Sequence, residues 1–181
     1  MEGPSEDLRL PTTPVAVHLV RAGHPRERAE LFVAVSAARP RRSRAGLASD
    51  VAELLEAEPA FVPVREPDAP GGARIALVGK HAIVWVAVSL RGGEGAAVDG
   101  VPAPVDDEPS DALALYDHHH GVRVELAGFD AIEGHVLYSS PADRPRLVDH
   151  LNLPVRFLRV WTGSALYLIN KHHVVRVLEL D

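Results

Sequence analysis

The chain has no cysteine, so disulfides, thiolate metal sites and cysteine nucleophiles are excluded, and stability must come from packing and hydrogen bonding. Lysine is almost as scarce. Lys80 and Lys171 are the only two, in a chain rich in Arg, Ala, Gly and Pro, a bias that fits a GC-rich bacterial genome. No apolar run approaches the roughly 20 residues that a membrane helix requires. Near Met1, the residues Glu2, Glu6 and Asp7 stand where a signal peptide would carry positive charge, and no apolar stretch follows. A cytoplasmic protein without membrane contact is expected. Catalytic signatures are missing as well: there is no G-x-S-x-G elbow, H-E-x-x-H, P-loop or G-x-G-x-x-G after a strand. Carboxylates cluster only at Asp106-Asp107-Glu108, in a stretch too poor in apolar residues to hold them rigidly for acid/base work. Neither an enzyme nor a cofactor is expected.

What the chain does have is enough apolar material for a core, 46% of 181 residues. Its net charge of −6 is unevenly spread: Arg21 to Arg44 holds seven arginines against two glutamates, and Arg91 to Asp117 holds seven acidic residues against one arginine.

Read in order, residues 1–14 are a polar, proline-bearing tail. Val15 to Val20 alternates as a strand, with Val15, Val17 and Leu19 on one face. A turn at Gly23 and Pro25 leads to a second strand at Ala29 to Val35. Leu47, Val51, Leu54 and Leu55 fall at helical spacing, with Ser49 or Asp50 as N-cap and Pro59 as stop. Phe61 to Arg65 is a short strand whose Pro63 belongs at an edge or a bulge. Ile75 to Leu90 then reads as two apolar strands around Gly79-Lys80-His81. Residues 91–117, with Gly, Pro and acid, read as a linker.

Residues 118–181 repeat the order of 15–90. Val122 to Leu126 and Gly134 to Tyr138 answer the first two strands, Arg146 to Asn152 the helix, and Phe157 to Val160 the segment FVPV. Leu166 to Asp181 (LYLINKHHVVRVLELD) answers Ile75 to Leu90 (IALVGKHAIVWVAVSL). The expected fold is α+β, mostly β: two tandem small domains of ββαβββ order, with sheets curled towards partial barrels. The two Lys-His segments read as β-hairpins, with Gly79 and Asn170 supplying positive φ and the lysines and histidines at exposed tips.

In the second copy, Leu151-Asn152 is followed by Phe157-Leu158 and then by Ile169-Asn170-Lys171, Val174 and Val177. This pattern resembles a family of small, uncharacterised, β-rich bacterial domains often found near regulatory or signalling proteins. The resemblance implies a compact β domain without known catalysis. The first half departs from it, with Glu56 in place of Asn and Gly79 in place of Asn.

Four groups of residues are candidates for function. Arg39, Arg41, Arg42 and Arg44, backed by Arg21, Arg26 and Arg28, present guanidinium forks suited to phosphates or carboxylates, against the alternative of a solvated loop. Cyclic-dinucleotide receptors of the PilZ type join such a segment to a β-barrel, but their Asp/Asn-x-Ser-x-x-Gly partner motif is missing here. Overall acidity, and the lack of aromatics among the arginines, disfavour nucleic acid. His118, His119 and His120 after Asp117 could bind a transition metal, although neighbours on an extended strand point alternately and at most two can face one ion. The histidines beside the two lysines could form an anion site or be plain tip residues. Ile83 and Trp85 make one face of a strand that is apolar on both faces, which calls for a second packing partner in the other half or another subunit. The expected function is protein binding, as an adaptor or scaffold that contacts another protein or itself. The alternative is a sensor of an anionic small molecule through Arg39 to Arg44.

Overall fold

The structure, a computed structural model, describes residues 11–34, 43–90, 116–139 and 146–180. The protein is mostly β. Among the described residues, ten antiparallel strands form one sheet in the order β10-β6-β7-β8-β9-β5-β1-β2-β3-β4. In the N-terminal half the strands are β1 (Thr12–Arg21), β2 (Glu27–Ala34), β3 (Phe61–Glu66), β4 (Arg74–Gly79) and β5 (Ile83–Ser89). In the C-terminal half they are β6 (His118–Leu126), β7 (Phe129–Tyr138), β8 (Phe157–Trp161), β9 (Ala165–Asn170) and β10 (Val174–Leu180). Helix α1 (Arg44–Glu56) lies between β2 and β3, and the shorter α2 (Leu147–Leu151) between β7 and β8. Among the described residues no helix is long and apolar enough to cross a membrane.

Alternation builds the strands as the sequence leads one to expect. Val15, Val17 and Leu19 of β1 and Ala29, Leu31 and Val33 of β2 point into one core, where Ala48, Val51, Ala52 and Leu55 of α1 cover them. The helix begins earlier than its apolar spacing predicts. Ser43, not Ser49 or Asp50, is the N-cap, its hydroxyl accepting from the Gly46 amide at 3.1 Å. β3 lies between β2 and β4 rather than at an edge, yet its ladder to β2 registers only at Val64 and Arg65, just beyond Pro63. The proline sits where β3 has parted from β2, so its missing N–H costs no bond there.

The two Lys-His segments are not hairpins. β4 pairs with β3 and β5 pairs with β1, four strands away in the sheet order, and β9 and β10 are separated in the same way. A 3₁₀ turn at Lys80–Ala82 joins β4 to β5, and another at Lys171–His173 joins β9 to β10. Gly79 and Asn170 enter these turns at φ −66° and −67°, so neither supplies positive φ. Left-handed glycines stand instead in the turns after β1 and β6, Gly23 at φ 77° and Gly128 at φ 78°.

These turns force curvature. Four flat strand spacings would separate β4 from β5 by about 19 Å, whereas the four residue steps from Gly79 to Ile83 can reach only about 14 Å. Each set of five strands must therefore curl until its first and last strands meet at the turn. The ends do not pair with each other. β5 pairs with β9 of the other half, Trp85 opposite Ile169 and Val86 opposite Leu168, which joins both halves into one sheet. Two cores result. The first gathers β1, β2, α1 and inward residues of β5, sealed by Phe157, Trp161, Leu166 and Leu168 from the C-terminal half. The second gathers β6, β7, Leu158, Val160 and Ile169, with Val20 and Val84 from the N-terminal half.

Candidate interaction surface

The ten-stranded order leaves β4 and β10 at its two ends, each with a strand partner on one side only among the described residues. An open edge offers unpaired backbone N–H and C=O groups, and soluble proteins usually blunt such edges with lysine, proline or a cover. β4 (RIALVG) contains neither lysine nor proline, and no described strand covers its outer edge. Its Ile75 and Leu77 share a face with Phe61 and Pro63 of β3, since Pro63 pairs with Leu77 and Phe61 with Gly79. Ile75, Leu77 and Phe61 are 65%, 73% and 58% exposed, so the edge carries a contiguous apolar strip. At the far end, Val175 and Leu180 of β10 are exposed, as are Val148, Leu153 and Val155 in and after α2.

Polar side chains cap the two helices and cross the junction between the halves. Lys80 is 1% exposed. Its Nζ donates to the carbonyls of Leu54 (2.8 Å) and Ala57 (2.7 Å), which end α1 without an intrahelical partner. Lys171 repeats the arrangement, donating to Leu151 and Leu153 at 2.7 and 2.8 Å at the end of α2. Burial pushes both ammonium groups below the ordinary lysine pKa, with Arg156 adding to the effect at Lys80. Asn170 is also buried. Its Nδ2 donates to the carbonyls of Lys80 (3.2 Å) and Ile83 (3.0 Å), and its Oδ1 accepts from the His172 amide. From the other side, the Glu56 carboxylate accepts from the amides of Arg156 (2.9 Å) and Phe157 (2.6 Å). The tip role expected of the lysines is thus replaced by helix capping. Nothing local in the sequence indicates this, since the acceptors lie 18 to 26 residues away.

The other sequence candidates are dispersed. Arg39, Arg41 and Arg42 lie outside the described residues, and Arg44 is the exposed first residue of α1. Arg21 and Arg74 converge on the buried Glu66, and Arg21 also reaches Glu27. This network lines a cleft of about 370 Å³ together with Arg26 and Arg28. Ile83 and Trp85 do not share a face as expected: with Val84 passed over in the ladder to β1, Ile83 packs in the first core with Val86 and Val88, whereas Trp85 packs against the second and meets Tyr167 of the C-terminal half edge-on at 5.4 Å. On β6, His119 is exposed, while His118 and His120 turn to Tyr138. His120 bridges Glu179 (2.5 Å) and the Tyr138 hydroxyl (3.1 Å), and Tyr138 stacks on His150 at 4.6 Å. Burial, then Lys171 and Arg159, holds the His150 pKa below its ordinary value, and burial raises that of Tyr138. Among the described residues no three His or acidic groups are arranged to hold a metal ion.

No protein-family model, curated protein or solved structure matches the chain.

Proposed function

We propose that the chain is a non-enzymatic, protein-binding scaffold built from two copies of one five-stranded unit. The observation that carries the binding role is the free edge of β4 with its strip of Phe61, Ile75 and Leu77. An apolar patch on an unpaired strand offers a partner both main-chain hydrogen bonds and side-chain burial, the two components of recognition by strand addition.

Three correspondences support the two-unit reading. The strand order β10-β6-β7-β8-β9 repeats β5-β1-β2-β3-β4 position by position. The ladder between the last and first strands of each half breaks at the same place: Val84 is passed over between Ile83 and Trp85, and Val175 between Val174 and Arg176. The lysine that opens each 3₁₀ turn caps the helix of its own half. Bulges and buried capping lysines are specific devices, and their recurrence at matching ladder positions is what duplication would leave.

The test places a photo-reactive phenylalanine at Leu77 in cells, with the exposed Ala16 of β1 as control. Protein adducts from position 77 but not from 16 are expected. Absence of adducts at 77 would overturn the protein-binding role.

A further inference from the structure

We propose that the partner is a second copy of the chain: β4 of one molecule adds to β10 of the next, continuing the sheet head to tail. This rests on the protein-binding, two-unit reading above and commits it to one occupant.

The argument runs from the junction already inside the chain. There β9, the fourth strand of one unit, pairs with β5, the fifth strand of the other. The strands left open are the same two in the opposite units, since β4 is the counterpart of β9 and β10 of β5. The chain therefore ends on both sides in the two halves of a contact that it makes internally.

Exposure follows the same logic. Leu166 and Leu168 of β9 are fully buried at the internal junction, but Ile75 and Leu77, which hold the matching places on β4, are 65% and 73% exposed. Phe157 is 2% exposed and its counterpart Phe61 is 58%; Val84 is fully buried and its counterpart Val175 is 66% exposed. The helices agree. Ala52 on the last full turn of α1 is buried, whereas Val148 in the matching place on α2 is open to solvent. A second copy placed as the second half already sits on the first would cover Phe61, Ile75 and Leu77 of one molecule with Val148 and Val175 of the other.

The internal ladder also dictates the register. Val86 faces Leu168 and Trp85 faces Ile169. Across molecules this becomes Val177 facing Leu77 and Arg176 facing Val78. Two internal links would be missing or altered: Gly79 has no side-chain amide to repeat the Asn170 bonds, and Asn152 stands in the place of Glu56. The contact between molecules is therefore weaker than the one within the chain and forms with rising concentration. Because it joins unlike edges, each added copy presents a fresh edge, and growth stops only when a ring closes.

Sedimentation velocity on the full chain, on Leu77→Lys and on Val175→Lys tests this. Both sites are exposed in the single molecule, so each variant should keep the wild-type melting temperature measured under dilute conditions. The wild type should assemble with concentration, and each lysine should raise the dissociation constant by more than about 100-fold by taking an unpaired charge out of water. The two variants mixed should form a one-to-one heterodimer and nothing larger, since each still has one intact edge. A wild type that stays monomeric at its solubility limit, or a single variant that still pairs with itself, would overturn the proposal. If that occurs while position 77 still cross-links to a different protein, the binding role stands and only self-assembly falls.

Discussion

Replacing Lys80 by methionine separates a helix-capping lysine from one at an exposed tip. Methionine keeps most of the apolar stem, so the change removes chiefly the ammonium and its two hydrogen bonds to Leu54 and Ala57. A hydrogen bond to a charged group contributes about 1.5–3 kcal/mol, and two such bonds lost give about 3–6 kcal/mol. Relief of the buried ammonium offsets part of this, since burial already disfavours its charged form. A net loss of about 3 kcal/mol is expected, which for a chain of this size lowers Tm by about 6–12 °C. Lys171→Met, where the side chain is only half-buried, should cost about 1–2 kcal/mol through the same pair of bonds. Urea unfolding followed by circular dichroism reads both, and an unchanged m-value assigns the loss to the folded state. If Lys80→Met melts within about 1 °C of the wild type, the capping role is wrong.

Glu56→Ala should destabilise the chain by about 2 kcal/mol, because the amides of Arg156 and Phe157 lose a charged acceptor; Glu56→Gln should recover part of this in the same unfolding assay. Gly134→Ala drives a methyl group into the Trp161 carbonyl oxygen and should cost about 1–3 kcal/mol, with Tm as the readout. Stability should also depend on pH through His18 and His150, whose pKa values burial lowers in the folded chain. The unfolded chain binds protons more readily, so this contribution is complete above the ordinary histidine pKa of about 6.5 and is lost as pH falls through the lower folded values. His150→Phe should flatten the fall in Tm between about pH 7 and pH 5.

Much of the fold was legible because alternation is local. Val15, Val17 and Leu19 announce a one-sided strand, and Leu47 to Leu55 a one-sided helix. The apolar character of both faces of Ile83 to Val88 was legible, but the bulge at Val84 that sends Ile83 to one core and Trp85 to the other was not. What could not be read was pairing at a distance. The string Lys-His after Gly or Asn is compatible with a hairpin tip, and only the location of the helix ends reveals that the lysines turn inward. The pairing of β5 with β9 is likewise absent from any local pattern. So is the exposure of Ile75 and Leu77, whose residue types are those of the buried Leu166 and Leu168 of β9. The arginine loop that stood out by composition lies largely outside the described residues, at Arg39, Arg41 and Arg42.

The most direct measurement uses the absence of native cysteine. Leu77→Cys and Val177→Cys, made on separate chains and mixed under mild oxidation, should give a disulfide-linked heterodimer, since opposed residues of paired strands lie within bridging distance. Leu77→Cys with Leu178→Cys should not, because a one-residue slip turns the side chain to the other face. Equal trapping of both pairs, or of neither, would contradict the continued sheet.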